Sequence, residues 1–457
     1  MKLDIVILAA GQGTRMKSSL PKVLHPVAGR PMLAHVIATA RALDPVAIHV
    51  VVGHGADEVR TALAGEDLNW VVQAQQLGTG DAVLQALPDI AGDSVVLVLY
   101  GDVPLIETAT LRALVAQADQ APALLTAEVG DPQGYGRIIR AADGSVVAVV
   151  EEKDANPEQR ALREVNSGVL AAPASLLARY LPAVGNANSQ GEYYLPDVLG
   201  LAVSDGLAVA AQLALSEIEI LGVNDRVQLA AVEREYQLRR AHAFMREGVA
   251  IADPRRFDLR GTLHCGRDVS IDVNVVLEGE VSLGDGVSIG PNCVLRDVAI
   301  GAGSTVHAMS HLEGAVLAEN TSVGPFARLR PGTRMAAGAR IGNFVETKNA
   351  DIGVASKVNH LTYIGDCAMG EGVNIGAGTI TCNYDGVNKH RTTIGDGVFV
   401  GSNSTLVAPV EIADGGFVAA GSTLTMAVGE NELAVARGRQ RNIQGWQRPN
   451  SSNKEGH

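Results

Sequence analysis

Hydrophobic positions in the second half of the chain recur with a period of about six residues. An aliphatic residue followed by glycine marks this period at Leu283-Gly284, Ile289-Gly290, Ile300-Gly301, Val323-Gly324, Ile341-Gly342, Ile352-Gly353, Ile364-Gly365, Ile375-Gly376, Ile394-Gly395 and Val400-Gly401. Neither a helix nor an alternating strand has this period. It is typical of a parallel β-helix, in which glycine allows the chain to turn corners and stacked coils of about 18 residues bury the aliphatic side chains.

One interval of this repeat is longer than the others. After Ile375-Gly376 the next aliphatic–glycine pair is Ile394-Gly395, and the extra residues between the two pairs include Thr381 to His390. Insertions in a solenoid leave it as loops, often on the binding face. The repeat alone would also suit a structural rod or an oligomerisation stalk, so any chemistry must come from individual residues.

The first half of the chain alternates between predicted strands and helices. Short apolar runs predict strands, and longer periodic segments predict helices. Their alternation predicts an α/β domain with a mainly parallel sheet. The strands are predicted at Leu3 to Ala10, Ala47 to Val52, Trp70 to Gln73 and Ser94 to Tyr100, and the helices at Met32 to Leu43 and Ala82 to Leu87.

A glycine-rich turn from Gly11 to Met16 follows the first strand. Small residues let backbone N–H groups approach phosphate oxygens, and Arg15 and Lys22 add positive charge. The turn lacks the Walker spacing and the full Rossmann spacing, so an ordinary tight turn fits it equally well. Asp102 follows the strand that ends at Tyr100, where a carboxylate can hold Mg²⁺ or be a solvated turn residue.

The pattern from Asp225 to Glu247 predicts one long helix, with Asn224 or Asp225 as its cap and Gly248 at its end. The simplest interpretation of its charged residues is a solvated face. These residues are Glu233, Arg234, Glu235, Arg239 and Arg240.

Length and composition restrict the remaining classes. A chain of 457 residues predicts two or three domains, and the net charge of −13 argues against a general nucleic-acid-binding surface and a membrane-binding surface. No uninterrupted apolar run has membrane length, so membrane insertion is not expected. The apolar run from Ile5 to Ala10 is too short for a signal sequence, so we expect a cytoplasmic protein whose four cysteines are reduced. The polar tail from Pro449 to His457 is expected to be disordered.

Residues 1 to about 226 resemble the sugar-nucleotide pyrophosphorylases. The resemblance is carried by Leu8-Ala9-Ala10-Gly11-Gln12-Gly13-Thr14-Arg15-Met16, Leu20-Pro21-Lys22, Gln73, Gly78-Thr79-Gly80, Tyr100-Gly101-Asp102, Gly134-Tyr135-Gly136-Arg137, Glu151, Asn166-Ser167-Gly168 and Gly222-Val223-Asn224. With the six-residue repeat behind these motifs, the whole chain resembles the bifunctional N-acetylglucosamine-1-phosphate uridyltransferases that are also glucosamine-1-phosphate acetyltransferases. That resemblance implies an α/β protein with a Rossmann-like nucleotidyltransferase domain at 1–226, a linker helix at 227–247 and a left-handed parallel β-helix at 248–457.

The same resemblance implies the residues of a uridylyl-transfer site. Arg15 and Lys22 would be catalytic and face the phosphates of UTP, and Asp102 and Asn224 would hold Mg²⁺. Uridine and the acetamido sugar would be bound by Leu8, Ala9, Ala10, Gly11, Lys22, Gln73, Gly78, Thr79, Tyr100, Gly101, Asp102, Gly136, Glu151, Asn166 and Asn224.

For the acetyl-transfer site the resemblance implies His360 as general base, in the motif Asn359-His360-Leu361-Thr362-Tyr363-Ile364-Gly365-Asp366. Arg330, Lys348, Tyr363 and Asn374 would bind glucosamine-1-phosphate. Acetyl-CoA would be bound by Ala377, Asn383, Tyr384, Ser402, Ala420 and Arg437, with the Ala377 N–H as an oxyanion donor. Cys382 is interpreted as a bystander thiol.

A homotrimer is implied by the resemblance to left-handed β-helix acyltransferases. Two other functions remain open on the residues alone. One is a monofunctional sugar-phosphate nucleotidyltransferase with an oligomerising solenoid, against which His360, Asn383 and Tyr384 argue. The other is a scaffold with a degenerate transferase domain, against which Lys22, Asp102 and Asn224 argue.

Overall fold

The structure is a computed structural model that describes residues 1–448. The tail expected to be disordered, Pro449 to His457, lies outside the described residues. The chain divides into two compact units, Met1–Arg240 and a second unit that begins at Ala241. Within residues 1–448, no helix has both the length and the apolar character needed to cross a membrane.

The first unit contains a mixed β-sheet and helices. Its strands are β1 (Lys2–Ala9), β2 (Pro26–Val27), β3 (Arg30–Pro31), β4 (Ala47–Val52), β5 (Asn69–Val72), β6 (Ser94–Tyr100), β7 (Ala123–Glu128), β8 (Arg137–Arg140), β9 (Val146–Val150), β10 (Glu164–Pro173) and β11 (Ala210–Leu213). Its helices are α1 (Met32–Arg41), α2 (Ala56–Ala62), α3 (Thr79–Ala86), α4 (Thr108–Val115), α5 (Pro157–Arg160), α6 (Ala174–Tyr180) and α7 (Asp197–Ser204), and α8 (Arg226–Arg246) begins here. Short 3₁₀ turns lie at Thr14–Met16, Lys22–Leu24, Leu87–Asp89, Leu181–Ala183 and Glu217–Ile220.

The main sheet of this unit is largely parallel, as predicted. Its strand order is β11-β7-β10-β6-β1-β4-β5, and β1 is parallel to both β4 and β6. The antiparallel pairings involve β10, which pairs with β6, β7 and β8, and β9, which pairs with β8. The carboxyl ends of β1, β4, β5 and β6 therefore meet at one edge.

Alternate residues of β1 pack into two different cores. Ile5 and Ile7 belong to the core that contains residues of α1 and α4, whereas Val6 and Leu8 belong to the core that contains residues of α3, α6 and α7. Because side chains of a strand alternate between the faces of a sheet, helices cover both faces and β1 is a continuous apolar run.

Helix α8 is the helix predicted over Asp225 to Glu247. The interpretation of its charged residues as a solvated face is wrong for Glu233 and Arg239. Glu233 Oε2 accepts a hydrogen bond from the Ala28 N–H at 2.6 Å. Arg239 donates to the Leu105 carbonyl at 3.1 Å and pairs with Glu107 at 3.0 Å. Loop main-chain groups need partners when they are covered, and these two side chains supply them.

The second unit is a parallel β-helix, with a 3₁₀ turn at Pro254–Arg256 after its first strand. Its strands are β12 (Ala250–Ile251), β13 (Phe257–Cys265), β14 (Ser270–Ile271), β15 (Val275–Leu283), β16 (Ser288–Ile289), β17 (Val294–Ile300), β18 (Thr305–Val306), β19 (His311–Glu313), β20 (Val316–Leu317), β21 (Ser322–Val323), β22 (Arg328–Leu329), β23 (Arg334–Met335), β24 (Arg340–Asn343), β25 (Glu346–Ile352), β26 (Lys357–His360), β27 (Tyr363–Met369), β28 (Asn374–Ile375), β29 (Ile380–Cys382), β30 (Thr392–Ile394), β31 (Phe399–Val400), β32 (Thr405–Val407), β33 (Val410–Ile412), β34 (Phe417–Val418), β35 (Thr423–Leu424) and β36 (Leu433–Ala434).

The register between coils confirms the predicted repeat. Phe257 pairs with Val275, 18 positions later, Thr305 pairs with Ser322, 17 positions later, and Thr392 pairs with Val410, 18 positions later. Cys367, in contrast, pairs with Thr392, 25 positions later, because the predicted insertion lies in that coil. The aliphatic residues of the repeat form one continuous buried core. All four cysteines are free thiols.

Candidate active sites

The first site lies at the carboxyl edge of the sheet in the first unit. Leu8 of β1 pairs with Tyr100 of β6, and the Gly101 N–H donates to the Leu8 carbonyl at 3.0 Å. The glycine-rich turn after β1 and the loop that carries Asp102 are therefore neighbours. Gly13 has a φ of 61°, and a Cβ there would lie 2.7 Å from the Lys22 Cβ, so glycine is required where the turn meets Lys22.

A cavity of about 200 Å³ follows this edge, and we call it the nucleotide cavity. Its lining contains the predicted uridine residues Leu8, Ala9, Ala10, Gly11, Gln73, Gly78 and Thr79, together with Lys22, Tyr100 and Asp102. Gly101, also predicted, supports the cavity through its bond to Leu8. The structure thus brings together residues that come from four separate segments of the sequence.

A second cavity of about 390 Å³ adjoins the first, and we call it the sugar cavity. It is lined by all the predicted sugar residues, Gly136, Glu151 and Asn166, and by Arg15 and Asn224. Thr79, Tyr100 and Glu192 line both cavities, so the two spaces form one cleft.

Two backbone features shape the sugar cavity. The Asn166 N–H donates to the Gly136 carbonyl at 2.8 Å, and Asn166 Oδ1 accepts from the Gly168 N–H at 2.8 Å. Gly168 has a φ of 84°, and a Cβ there would lie 2.6 Å from the Tyr100 ring. Tyr100 can stand between the cavities only because residue 168 is glycine.

Glu151 is a carboxyl of the sugar cavity whose environment differs from water. Burial, reinforced by the negative charges of Asp197 and Asp154, raises the pKa of the Glu151 carboxyl. The carboxyl therefore keeps its proton to a higher pH than an ordinary glutamic acid does, and it lies where it can form hydrogen bonds with a bound sugar.

Cationic and oxygen-bearing side chains converge in the cleft. Lys22 Nζ forms an ion pair with Asp102 and donates to Asn224 Oδ1 at 3.3 Å. Arg15 donates to the same Asn224 oxygen at 2.8 Å. Both side chains of the Lys22–Asp102 pair are 14% exposed, so this charge pair is largely withdrawn from water. Since one ammonium contacts both Asp102 and Asn224, their oxygens converge on a single cation position, and carboxylate and amide oxygens suit Mg²⁺.

Sequence reasoning missed the segment that closes the cleft from the other side. The Tyr193 N–H donates to the Leu77 carbonyl at 2.8 Å, and the Gly80 N–H donates to the Tyr193 carbonyl at 2.8 Å. These bonds place Glu192 in both cavities and Tyr194 in the sugar cavity. Two adjacent tyrosines in a chain with 4% aromatic residues were the available signal.

The second site is centred on His360, at the end of β26. His360 pairs with Asn343 on the preceding coil, and its Nδ1 lies 2.8 Å from Asn343 Oδ1. An amide oxygen accepts, so the imidazole carries its hydrogen on Nδ1 and Nε2 keeps its lone pair. The His360 side chain is exposed, and Nε2 can reach a bound molecule.

Three predicted acetyl-CoA residues stack on successive coils beyond His360, as the ladder of hydrogen bonds shows. Gly378 N–H donates to the His360 carbonyl, Asn403 N–H to the Ala377 carbonyl and Gly421 N–H to the Ser402 carbonyl. His360, Ala377, Ser402 and Ala420 therefore occupy equivalent positions, and we call them the His360 column. At about 4.8 Å per coil the column spans about 14 Å. Arg437 Nη1 donates to the Ala420 carbonyl at 2.6 Å, so Arg437 lies at its far end.

A cluster of positive charge lies on the neighbouring sheet. Lys348 is paired with Gly365, and Arg330 precedes Lys348 by one coil because Leu329 pairs with Thr347. The Lys389 ammonium beside Lys348, together with Arg330, lowers the pKa of the Lys348 ammonium. Lys389 was missed by sequence reasoning because only the insertion loop brings it to this position.

Gly365 leaves room for the aromatic ring that stands over this cluster. A Cβ at Gly365 would lie 2.4 Å from the Tyr363 hydroxyl and 2.8 Å from Asn383 Nδ2. Asn383 in turn donates to Asp366, as does Asn349 at 2.6 Å. Burial alone would raise the pKa of Asp366, but these hydrogen bonds lower it below the usual range. The carboxylate thus stays charged and fixes the base of the insertion loop.

Two predicted residues lie apart from this cluster. Asn374 belongs to the other sheet of the β-helix, where it pairs with Lys357 and Phe399, and within residues 1–448 no hydrogen bond joins it to Arg330, Lys348 or Tyr363. Tyr384 is 61% exposed on the insertion loop, and its hydroxyl bonds the Gly386 carbonyl.

Four large apolar side chains form an exposed ridge along one corner of the β-helix. Met309, Phe326, Phe344 and Leu361 are 50%, 49%, 56% and 62% exposed. All four have positive φ, between 49° and 59°, which bulky side chains rarely adopt. The Phe326 and Phe344 rings stack with centroids 5.1 Å apart. Phe344 and Leu361 directly follow Asn343 and His360, so this corner ridge flanks the second site.

Known families match both units. The MobA-like NTP transferase domain matches residues 5–182, and the hexapeptide repeat of succinyl-transferase matches residues 391–426. A nucleotidyl transferase from Methanothermobacter thermautotroptrophicus is 23% identical, with a TM-score of 0.38 over 52% of this chain and 99% of that one, which is too weak a likeness to carry an argument.

Full-length relatives extend this similarity over the chain. A protein of Stutzerimonas stutzeri named bifunctional protein GlmU is 60% identical over 98% of this chain and 99% of its own length. Proteins with the same name from Marinobacter nauticus and Alkalilimnicola ehrlichii are each 58% identical over 98% of this chain, and over 99% and 96% of their own lengths.

Proposed function

The chain belongs to the GlmU family of bifunctional proteins, and from that premise we propose how its two units divide the synthesis of UDP-N-acetylglucosamine. The second unit transfers an acetyl group from acetyl-CoA to glucosamine-1-phosphate. The first unit transfers uridylyl from UTP to the N-acetylglucosamine-1-phosphate that results, with release of pyrophosphate. The observation that supports this division is that the two sets of candidate residues lie in different units, one around the cleft of the first unit and the other around His360 in the second.

Uridylyl transfer needs positioning and positive charge more than it needs a protein nucleophile. A phosphate oxygen of the sugar phosphate attacks the α-phosphorus of UTP, and the bond to the pyrophosphate oxygen breaks. Arg15 lines the sugar cavity and Lys22 the nucleotide cavity, and both donate to Asn224 Oδ1, so they would balance the charge that develops on the phosphates. Tyr100 between the cavities would align sugar and nucleotide.

Magnesium is the expected cofactor of this step. Asp102 and Asn224 would hold the ion, since their oxygens converge on one cation position. A bound Mg²⁺ would neutralise phosphate charge and favour the departure of pyrophosphate. The Lys22 ammonium, which contacts both oxygens, would then turn toward the phosphates.

Acetyl transfer needs a base near the amine of the sugar. The Asn343 contact leaves Nε2 of His360 with its lone pair, so Nε2 would accept a proton as the amine attacks the thioester carbonyl. The carbon–sulfur bond then breaks and CoA leaves as the thiolate, which takes up a proton. The Ala377 N–H would stabilise the oxyanion that forms in between.

Substrates of this step would bind on either side of His360. Arg330, Lys348 and Lys389 form a cationic cluster that suits the phosphate of glucosamine-1-phosphate, with Tyr363 against the sugar. Acetyl-CoA would lie along the His360 column, whose small side chains Ala377, Ser402 and Ala420 leave a shallow path toward Arg437. Asn383 and Tyr384 would cover it from the insertion loop.

Assembly into a trimer is part of this proposal. The corner ridge is a strained, exposed apolar surface, and such surfaces mark contacts between chains. A second copy seated on it would lie beside His360 and could supply the Asn374 face that one chain holds apart from Arg330 and Lys348. The number three comes from the resemblance to left-handed β-helix acyltransferases. Because UTP and acetyl-CoA are intracellular metabolites, we also propose a cytoplasmic location.

The test uses the purified full chain with glucosamine-1-phosphate, acetyl-CoA, UTP and Mg²⁺. Release of CoA and of pyrophosphate is followed in the same reaction. Pyrophosphate should appear only after CoA, and omission of acetyl-CoA should abolish the release of both. Addition of N-acetylglucosamine-1-phosphate should then restore pyrophosphate release alone. Pyrophosphate release from glucosamine-1-phosphate without acetyl-CoA would contradict the proposed order.

A further inference from the structure

Two hydrogen-bond acceptors fix the orientation of the Gln73 side chain. Its Nε2 donates to Asp81 Oδ2 at 2.7 Å and to the Gly78 carbonyl at 3.1 Å. A carboxylate and a carbonyl can only accept, so the amide nitrogen must face them and the amide oxygen must face away. Gln73 is 4% exposed, which leaves no water on the nitrogen side to compete.

The amide oxygen is the part of Gln73 that remains for a ligand. Within residues 1–448 no group donates a hydrogen bond to Gln73 Oε1, and Gln73 lines the nucleotide cavity. The cavity wall thus offers an acceptor at this point and no donor from the same side chain. Uracil presents an N3–H donor, whereas the N3 atom of cytosine is an acceptor. The Gln73 amide oxygen can therefore accept a hydrogen bond from uracil N3–H, whereas it would face the lone pair of cytosine N3.

We infer that Asp81 is a specificity-determining positioning residue, which makes the first unit select uracil over cytosine nucleotides by holding the Gln73 oxygen toward the base. Among the described residues that line the nucleotide cavity Asp81 is absent, so it acts through Gln73 and not on the substrate. Without Asp81 the amide keeps only the Gly78 contact and can turn its nitrogen toward cytosine N3. The inference rests on the proposed function, because it takes the bound nucleotide to be UTP.

The test compares kcat/KM for UTP and for CTP, measured as pyrophosphate release by the full chain with N-acetylglucosamine-1-phosphate at saturation. Asp81→Ala is expected to lower the UTP-over-CTP ratio about tenfold, the effect of one hydrogen bond to a charged partner. Gln85→Ala is the matched control. Gln85 Nε2 also donates to Asp81, at 3.1 Å, but not to Gln73, so its loss should leave the ratio at the parent value.

A second variant, Asp81→Asn, distinguishes a change in specificity from a loss of folding. Asp81 lies in the first turn of α3, where a negative charge stabilises the helix. Asp81→Asn keeps the shape of the side chain but replaces one acceptor oxygen with a donor, so its ratio should fall between those of the parent and Asp81→Ala. CoA release by the second unit and the melting temperature check the fold.

The outcomes distinguish failure of the proposed role of Asp81 from failure of the proposed uridylyl transfer. Variants that lose UTP and CTP activity in equal proportion, with an unchanged ratio, would overturn the role of Asp81 and leave it a structural residue. A parent chain that releases no pyrophosphate from UTP would overturn the proposed function instead.

Discussion

His360 Nδ1 and Asn343 Oδ1 lie 2.8 Å apart across two successive coils of the β-helix. The contact selects one tautomer of the imidazole, because an amide oxygen requires a hydrogen on the nitrogen that faces it. The other nitrogen is then free to accept a proton. A residue 17 positions away in the sequence thus determines which nitrogen of His360 can accept a proton.

Asn343→Ala should weaken acetyl transfer without abolishing it. Loss of the acceptor lets the imidazole adopt the other tautomer and turn, and removal of a group that orients a ligand or base typically costs about 10- to 100-fold. CoA release should fall by that factor, while pyrophosphate release from supplied N-acetylglucosamine-1-phosphate stays at the parent rate. Parental CoA release by a folded Asn343→Ala variant would show that the contact does not matter for catalysis.

Binding of glucosamine-1-phosphate should weaken as the pH rises into the alkaline range. The Lys389 ammonium and Arg330 lower the pKa of Lys348, so Lys348 loses its proton at a lower pH than an ordinary lysine and its attraction for phosphate declines sooner. KM for glucosamine-1-phosphate should therefore increase with alkaline pH. The measurement is CoA release at varied sugar phosphate over a series of pH values.

Two variants identify the titrating group in that series. Lys348→Arg should keep its charge and remove the alkaline rise in KM, since an arginine does not titrate there. Lys389→Ala should move the rise to higher pH, because the neighbouring positive charge is gone. A rise that stays the same in both variants would assign it to another group.

Replacement of the stacked ring at the corner ridge should disrupt assembly. Phe344→Asp places a charge where we propose that a second chain packs, so the protein should become monomeric by light scattering and lose acetyl transfer. Val46→Asp is the control, since Val46 is a 67% exposed apolar residue of the first unit. An oligomeric Phe344→Asp protein, or a monomer with full CoA release, would contradict the proposed assembly.

Much of the fold could be predicted because its signals are local. Glycine follows the aliphatic residues of the repeat because the chain turns a corner of the coil there. The run from Leu3 to Ala10 is apolar because helices cover both faces of β1. The family resemblance also implies most residues of the nucleotide cavity and all four of the His360 column, because the short motifs that carry them can be matched one at a time.

Other parts of the sites depend on contacts that the sequence does not display. Lys389 reaches Lys348 only through the fold of the insertion loop, and Asn343 reaches His360 only through the coil register. Glu192 lies in the cleft because the Tyr193 backbone bonds both Leu77 and Gly80. The same limit explains Glu233 and Arg239, whose loop partners Ala28 and Leu105 lie more than a hundred residues away in the sequence.

The central claim is that two separate sites perform the two transfers. The most direct measurement assays His360→Ala and Asp102→Ala side by side for CoA release and for pyrophosphate release from supplied N-acetylglucosamine-1-phosphate. His360→Ala should lose about 10²- to 10⁴-fold in CoA release and nothing in pyrophosphate release, and Asp102→Ala should show the reverse pattern. If either folded variant lost both activities together, or kept both, the division of function between the two units would be wrong.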